Sequence, residues 1–176
     1  MKKFLSTDVL IIGGGTAGLF AAIRLSEMNP RIRIIVVDKA DIRRSGCLAA
    51  GVNALNAHIG KNHAPEDYVE YAINDAHGIA RKDLLLTMSR RLNHVTEIIE
   101  RLGLVIERDV QGNFVERGWR NVKINGENIK PLLADAVKNF PNVTILNHVN
   151  VANFFLDGDE VRGAYGFGTR EKIFYI

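Results

Sequence analysis

The chain has 176 residues, 47% of them hydrophobic, with 23 basic and 20 acidic side chains and a net charge of +3. That length buries a sizeable core and favours one domain or slightly more, while the interleaved charges leave no basic stripe for nucleic acid. A single cysteine excludes an internal disulfide framework and any thiolate metal or iron–sulfur site built by this chain alone, and the five histidines show no metal-ligand spacing.

Residues 8–12, Asp-Val-Leu-Ile-Ile, form an apolar run that stops at three glycines, the pattern of a buried parallel strand. The run is too short for a signal peptide or a membrane span, so a cytoplasmic protein without membrane insertion is expected. From Thr16 to about Asn29, Leu19, Ala22, Ile23 and Leu25 recur near helical spacing, and Asn29-Pro30 ends the helix. A β-branched strand at 32–37 closes at Asp38, which completes a βαβ unit. Residues 39–61 lack a sustained period and read as a long ordered loop with room for one short helix. Pro65 opens a helix through Ala76, and Asp83 is expected to cap a longer one whose Leu85, Met88, Leu92, Val95, Ile99 and Leu102 share a buried face up to Gly103. Short strands and turns are expected at 104–125, then a helix from about Glu127 to Asn139 with Pro131 in its first turn. Strands at 143–146, 151–156, 161–167 and 172–176 follow, with Asp157-Gly158 marking a hairpin. The fold class is therefore α/β: a Rossmann-like domain with a parallel sheet and a βαβ start, plus an antiparallel β-meander.

Gly13-Gly14-Gly15-Thr16-Ala17-Gly18 contains the G-x-G-x-x-G pattern as Gly13, Gly15 and Gly18, directly after a strand and at the opening of a helix. Gly13 permits the tight turn, Gly15 lets the backbone approach a pyrophosphate, and Gly18 lets helix and strand pack closely. The pyrophosphate charge then rests on the unpaired N–H groups of the helix start, over Thr16 and Ala17. Asp38 ends the second strand where an acidic residue would accept hydrogen bonds from the ribose hydroxyls. The competing readings are a glycine-rich turn that binds nothing and a solvated strand-end carboxylate. The pattern alone does not separate FAD from NAD.

The segment Arg44-Ser45-Gly46, followed by Gly51 and Ala54-Leu55-Asn56, and later Trp119 and Gly126-Glu127-Asn128-Ile129-Lys130-Pro131, resembles the succinate dehydrogenase and fumarate reductase superfamily of FAD-binding flavoproteins, closest to adenylylsulfate reductase large subunits. The resemblance spans nearly the whole chain. It implies a Rossmann-like FAD-binding domain and an FAD-dependent oxidoreductase that reduces adenylylsulfate to AMP and sulfite. The alternatives are a fumarate or succinate type enzyme and a non-catalytic nucleotide-binding or assembly module. Gly46 stands where membrane-linked relatives place the histidine that bonds to flavin, so the FAD is expected to be noncovalent; Cys47, next to it, reads as a small buried thiol. Ala50 and Asn53 depart from the adenylylsulfate reductase pattern.

The cofactor set implied by fingerprint and resemblance together is Gly13, Gly14, Gly15, Thr16, Ala17, Gly18, Asp38, Lys39, Arg44, Ser45, Gly46, Gly51, Val52, Asn53 and Val151. Val151 belongs to a stretch, 149–152, whose main chain is expected to hold the adenine. Asn56 and Trp119 are candidates for the flavin and substrate face. The resemblance further implies a small anionic substrate and an iron–sulfur, ferredoxin-like subunit as electron donor. Within an N-terminal part of one FAD-binding domain, the expected divisions are 1–60 for the βαβ unit and flavin loop, 61–140 for a helical insertion with short strands, and 141–176 for a partial meander. The chain is expected to be a piece lacking the capping and C-terminal domains that carry catalytic Arg and His residues, and to be inactive alone.

Overall fold

The computed structural model describes residues 1–126, 128–171 and 173–176. In chain order the elements are β1 (Lys2–Lys3), β2 (Val9–Ile12), α1 (Thr16–Met28), β3 (Ile34–Val37), a 3-10 turn (Cys47–Ala50), β4 (Val52–Leu55), α2 (Pro65–Asp75), α3 (Lys82–Ser89), α4 (Leu92–Arg101), β5 (Val122–Gly126), α5 (Ile129–Lys138), β6 (Val143–Leu146), β7 (Val149–Asp157), β8 (Glu160–Gly168) and β9 (Phe174–Tyr175). They form two compact units, residues 1–50 with 129–176, and residues 51–128.

In the first unit β2, β3 and β6 make a parallel sheet with β3 in the centre, Ile34 facing both Val9 and Val143. A central parallel strand is covered on both faces, and all four residues of β3 are buried. Leu19, Ala22 and Ile23 of α1 and Ile129, Leu133, Ala134 and Val137 of α5 supply one side of the core, where the two helices pack on each other. On the other side Ile35, Val37 and Val149 cluster with Leu5, Leu146, Val151 and Tyr175. The antiparallel strands β7, β8 and β9, joined on the outside by β1 parallel to β9, make a second sheet in the order β1-β9-β8-β7, and the β7–β8 hairpin turns at Gly158 with φ +59°. An α/β fold with a parallel sheet and an antiparallel meander is thus what the chain adopts. Among the described residues no helix is long and apolar enough to cross a membrane.

In the second unit β4 pairs antiparallel with β5, extended by bridges Ile106 to Ile124 and Glu116 to Val122. Ile59, Tyr68 and Leu92 form a core cluster with Ala57, Ala72 and Trp119 against it.

Three local expectations need correction. The single long helix from Asp83 is two helices, with the break at Arg90-Arg91. There Ser89 turns its hydroxyl onto the Leu86 carbonyl at 3.1 Å and Arg91 N–H reaches back only three residues, to Met88 at 2.9 Å, so local bonds replace the helical ladder. The helix is entered through Arg81, with Asp83 in its first turn as the acceptor for the Arg81 guanidinium. The 39–61 loop contains β4, a strand made by pairing with β5 far along the sequence, which no local period announces. Strand β1 is likewise two exposed lysines held parallel to Phe174 and Tyr175. Glu127 and Lys172, the expected starts of the fifth helix and the last strand, lie outside the described residues. Pro131 does occupy the first turn of α5.

Candidate cofactor site

The turn from β2 into α1 shows why each glycine is there. Gly13 has φ +106° and donates its N–H to the Val37 carbonyl at 2.7 Å, which ties the turn to β3. A Cβ on Gly18 would lie 2.0 Å from the Gly13 carbonyl oxygen, and one on Gly14 would lie 2.5 Å from the Ile42 side chain. A Cβ on Gly15, at φ −66°, would meet nothing within 4 Å. The positive φ therefore demands glycine at 13 and the protein's own packing demands it at 14 and 18, whereas at Gly15 neither does and a space stays open. Helix α1 begins there with no side-chain cap and no acidic residue in its first turn, so its leading amides carry the positive end of the helix dipole without a protein anion on them.

Asp38, buried at the end of β3, fixes this turn from the side. Its Oδ2 accepts the Gly14 N–H at 2.6 Å and its Oδ1 accepts the Ala40 N–H at 2.7 Å. A carboxylate has about four acceptor positions, so it keeps capacity for further donors. Its backbone holds the next strands in place: Asp38 N–H donates to Leu146, and Val149 N–H donates to the Asp38 carbonyl, both at 2.9 Å. Val149, Asn150 and Val151 are thereby brought beside the fingerprint. Together with Gly13, Val37, Asp38, Lys39, Ala40, Arg44, Ser45 and Gly46 they line a cavity of about 380 Å³.

The loop after β3 lies directly on the turn. Ser45 is buried and donates its hydroxyl to the Gly14 carbonyl at 3.2 Å. Gly46, at φ +78°, passes so close that a Cβ there would be 3.1 Å from the Gly15 Cα. Lys39 and Arg44 line the cavity with exposed side chains. Cys47 is exposed rather than buried, because it opens a 3-10 turn none of whose residues is buried.

A residue the sequence reading left out of the site is Lys130. Only 1% of it is exposed, and its ammonium donates to the same Gly14 carbonyl that Ser45 caps. Burial pushes its pKa below the ordinary lysine value, and the carboxylates of Asp38 and Asp41 push the other way. The signal was available: Lys130 falls on the buried stripe of α5, in line with Leu133, Ala134 and Val137, where a lysine without a partner is costly.

The remaining candidates belong to the second unit. Gly51 has φ +82°, Val52 pairs with Gly126, and exposed Asn53 accepts a bond from Arg117 at 3.2 Å. Asn56 is exposed just after β4. Trp119 stacks on His63 at 4.6 Å and meets Tyr68 and Tyr71 edge-on.

An open glycine turn at an uncapped helix start, beside a cavity with an acidic strand end, fits a dinucleotide, and the likenesses to known proteins say which. A family model described as "FAD binding domain" matches residues 8–172. The alpha subunit of adenylylsulfate reductase from Megalodesulfovibrio gigas is 29% identical over 97% of this chain and 30% of its own length. The solved adenylylsulfate reductase of Archaeoglobus fulgidus superposes with a TM-score of 0.87 at 32% identity, covering 99% of this chain and 29% of that one. Quinol fumarate reductase of E. coli shares the fold, with a TM-score of 0.83 at 19% identity over 98% of this chain and 31% of that one. The chain thus spans about 30% of the length of the first of these relatives. By fold, by the fingerprint turn and by the match over most of its length, the chain belongs to the FAD-binding domain family, and FAD is its cofactor.

Proposed function

We propose that this chain is the cofactor-holding part of a flavoprotein oxidoreductase subunit that carries out the two-electron reduction of adenylylsulfate to AMP and sulfite. The observation that carries this reading is the joint likeness in sequence and fold to adenylylsulfate reductases over nearly the whole chain, where the fumarate reductase likeness is one of fold at lower identity. Bound FAD supplies the two-electron chemistry. The residues of this chain hold it: the Gly15 turn and the start of α1 take the pyrophosphate, Asp38 the ribose, and the main chain of β7 near Val151 the adenine. Gly46 carries no side chain that could bond the flavin, and its positive φ and close approach to Gly15, where a Cβ would lie 3.1 Å from the Gly15 Cα, favour glycine there, which supports noncovalent attachment. Gly51, Val52 and Asn53 on the flavin side, and Asn56 and Trp119 on the substrate side, are assigned by the family resemblance.

The wider reading includes a small anionic substrate, an iron–sulfur subunit as electron donor and a cytoplasmic location. Its test is reoxidation of the reduced full-length flavoprotein, followed by flavin absorbance, with adenylylsulfate against fumarate as oxidant. Reoxidation by adenylylsulfate, with loss of visible flavin absorbance on adding sulfite to the oxidised protein, is the expected outcome. Reoxidation by fumarate alone overturns the proposal.

A further inference from the structure

Gly14 is held from three directions. Its N–H donates to Asp38 at 2.6 Å, and its carbonyl accepts from both the Ser45 hydroxyl at 3.2 Å and the buried Lys130 ammonium. The peptide that follows joins Gly14 to Gly15, and the described chain contains no cis peptide. In a trans peptide the C=O and the next N–H point in opposite directions. Fixing the Gly14 carbonyl inward therefore fixes the Gly15 N–H outward. A Cβ placed on Gly15 would meet nothing within 4 Å, so no packed atom crowds that side of the residue that receives this orientation. Glycine on both sides of a peptide is the arrangement that lets its plane rotate most freely, so the orientation does not follow from the local sequence.

We infer that Lys130 is a positioning residue for the cofactor: it anchors the Gly14 carbonyl and so keeps the Gly14–Gly15 peptide turned with its N–H toward the FAD pyrophosphate. This rests on the FAD reading of the site and goes beyond it, since Lys130 does not line the cavity. A charge-assisted donor is needed because the peptide carries a dipole whose reversal would aim a carbonyl at the phosphates. Asp38 and Asp41 are the charged groups that act on the ammonium. These carboxylates offset part of the cost of burying the charge, and α5 delivers the lysine into the turn.

The test compares the protein with its Lys130→Met and Lys130→Arg variants, titrated separately with FAD, ADP and adenosine. Lys130→Met is expected to weaken FAD and ADP by about tenfold or more while leaving adenosine within about twofold, because only the first two carry the diphosphate. Lys130→Arg, which keeps a charged donor, is expected to recover most of the loss. Equal weakening of all three ligands, or none, overturns the inference, the former by showing a general packing role. If Lys130→Met does not fold by circular dichroism, Lys130→Gln, which keeps a neutral donor, takes its place in the same three titrations: selective weakening of FAD and ADP supports the inference, and equal weakening of all three ligands, or none, overturns it. Failure of the unmutated protein to bind FAD would instead overturn the reading of the cofactor site itself.

Discussion

Gly15 and Gly18 stand three residues apart in one turn and answer to different demands. Alanine at 18 would drive its Cβ to 2.0 Å from the Gly13 carbonyl, so Gly18→Ala is expected to cost about 1–3 kcal/mol or more, measured by denaturant unfolding. Gly15→Val meets no protein atom within 4 Å at its Cβ and is expected to keep the fold while losing FAD, because the branched side chain fills the pyrophosphate approach. Unchanged FAD affinity in that variant would contradict the site. A third residue-scale effect lies at the base of β2, where Arg33 grips Asp8 through side chain and backbone, at 2.7, 3.1 and 2.8 Å. These bonds lower the Asp8 pKa from 3.8 to about 2. A depressed carboxyl stabilises the fold above its unfolded pKa, and that contribution is lost as pH falls through about 2. An NMR titration of Asp8 should show its midpoint near 2, and a midpoint near 3.8 would mean the grip does not form in solution. The glycines were legible in the sequence because their reasons are local and conformational. The burial of Lys130 was legible from its place on the α5 stripe, but its partner was not, since that depends on α5 docking onto a turn 116 residues earlier.

Elements formed by local periodicity were readable, and those formed by distant pairing were not. Strands β2 and β3 are continuous apolar runs, β6 is an apolar run broken only by Thr144, and α1 has a stripe and a stop, so these followed from pattern. Strand β4 and the break between α3 and α4 escaped because the first needs β5 and the second falls inside an uninterrupted apolar spacing. Helix α4 also serves its neighbour. Asn93 mimics a strand edge, accepting from the Ile59 N–H at 2.7 Å and donating to the Ile59 carbonyl at 3.1 Å, while Thr96 donates to the Ala57 carbonyl. Asn93→Ala leaves both Ile59 groups without these partners and is expected to destabilise the second unit by about 1–3 kcal/mol. Hydrogen exchange at Ile59 should accelerate; unaltered protection would show that other groups hold this segment.

At the scale of the whole molecule, the fingerprint turn, Asp38, Lys130 and the β7 strand all belong to the first unit, although residues 51–128 interrupt it in sequence. The interrupting unit begins and ends on paired strands, with Val52 opposite Gly126. Its ends are therefore adjacent, and replacing 52–127 with a short Gly-Ser linker is expected to leave a first unit that unfolds cooperatively and still binds ADP. A molten product without ADP binding would show that the first unit depends on the insertion.

The tie between Gly14 and Lys130 also sets an order of events during translation. A ribosome releases the glycine turn early, but the lysine that fixes its carbonyl, and the strand β6 that flanks β3, emerge only after the whole intervening unit has been made. A nascent chain arrested before Ile129 would carry every glycine of the fingerprint and still lack the anchor that aims the Gly15 amide, so capture of the cofactor belongs to the later stage of synthesis.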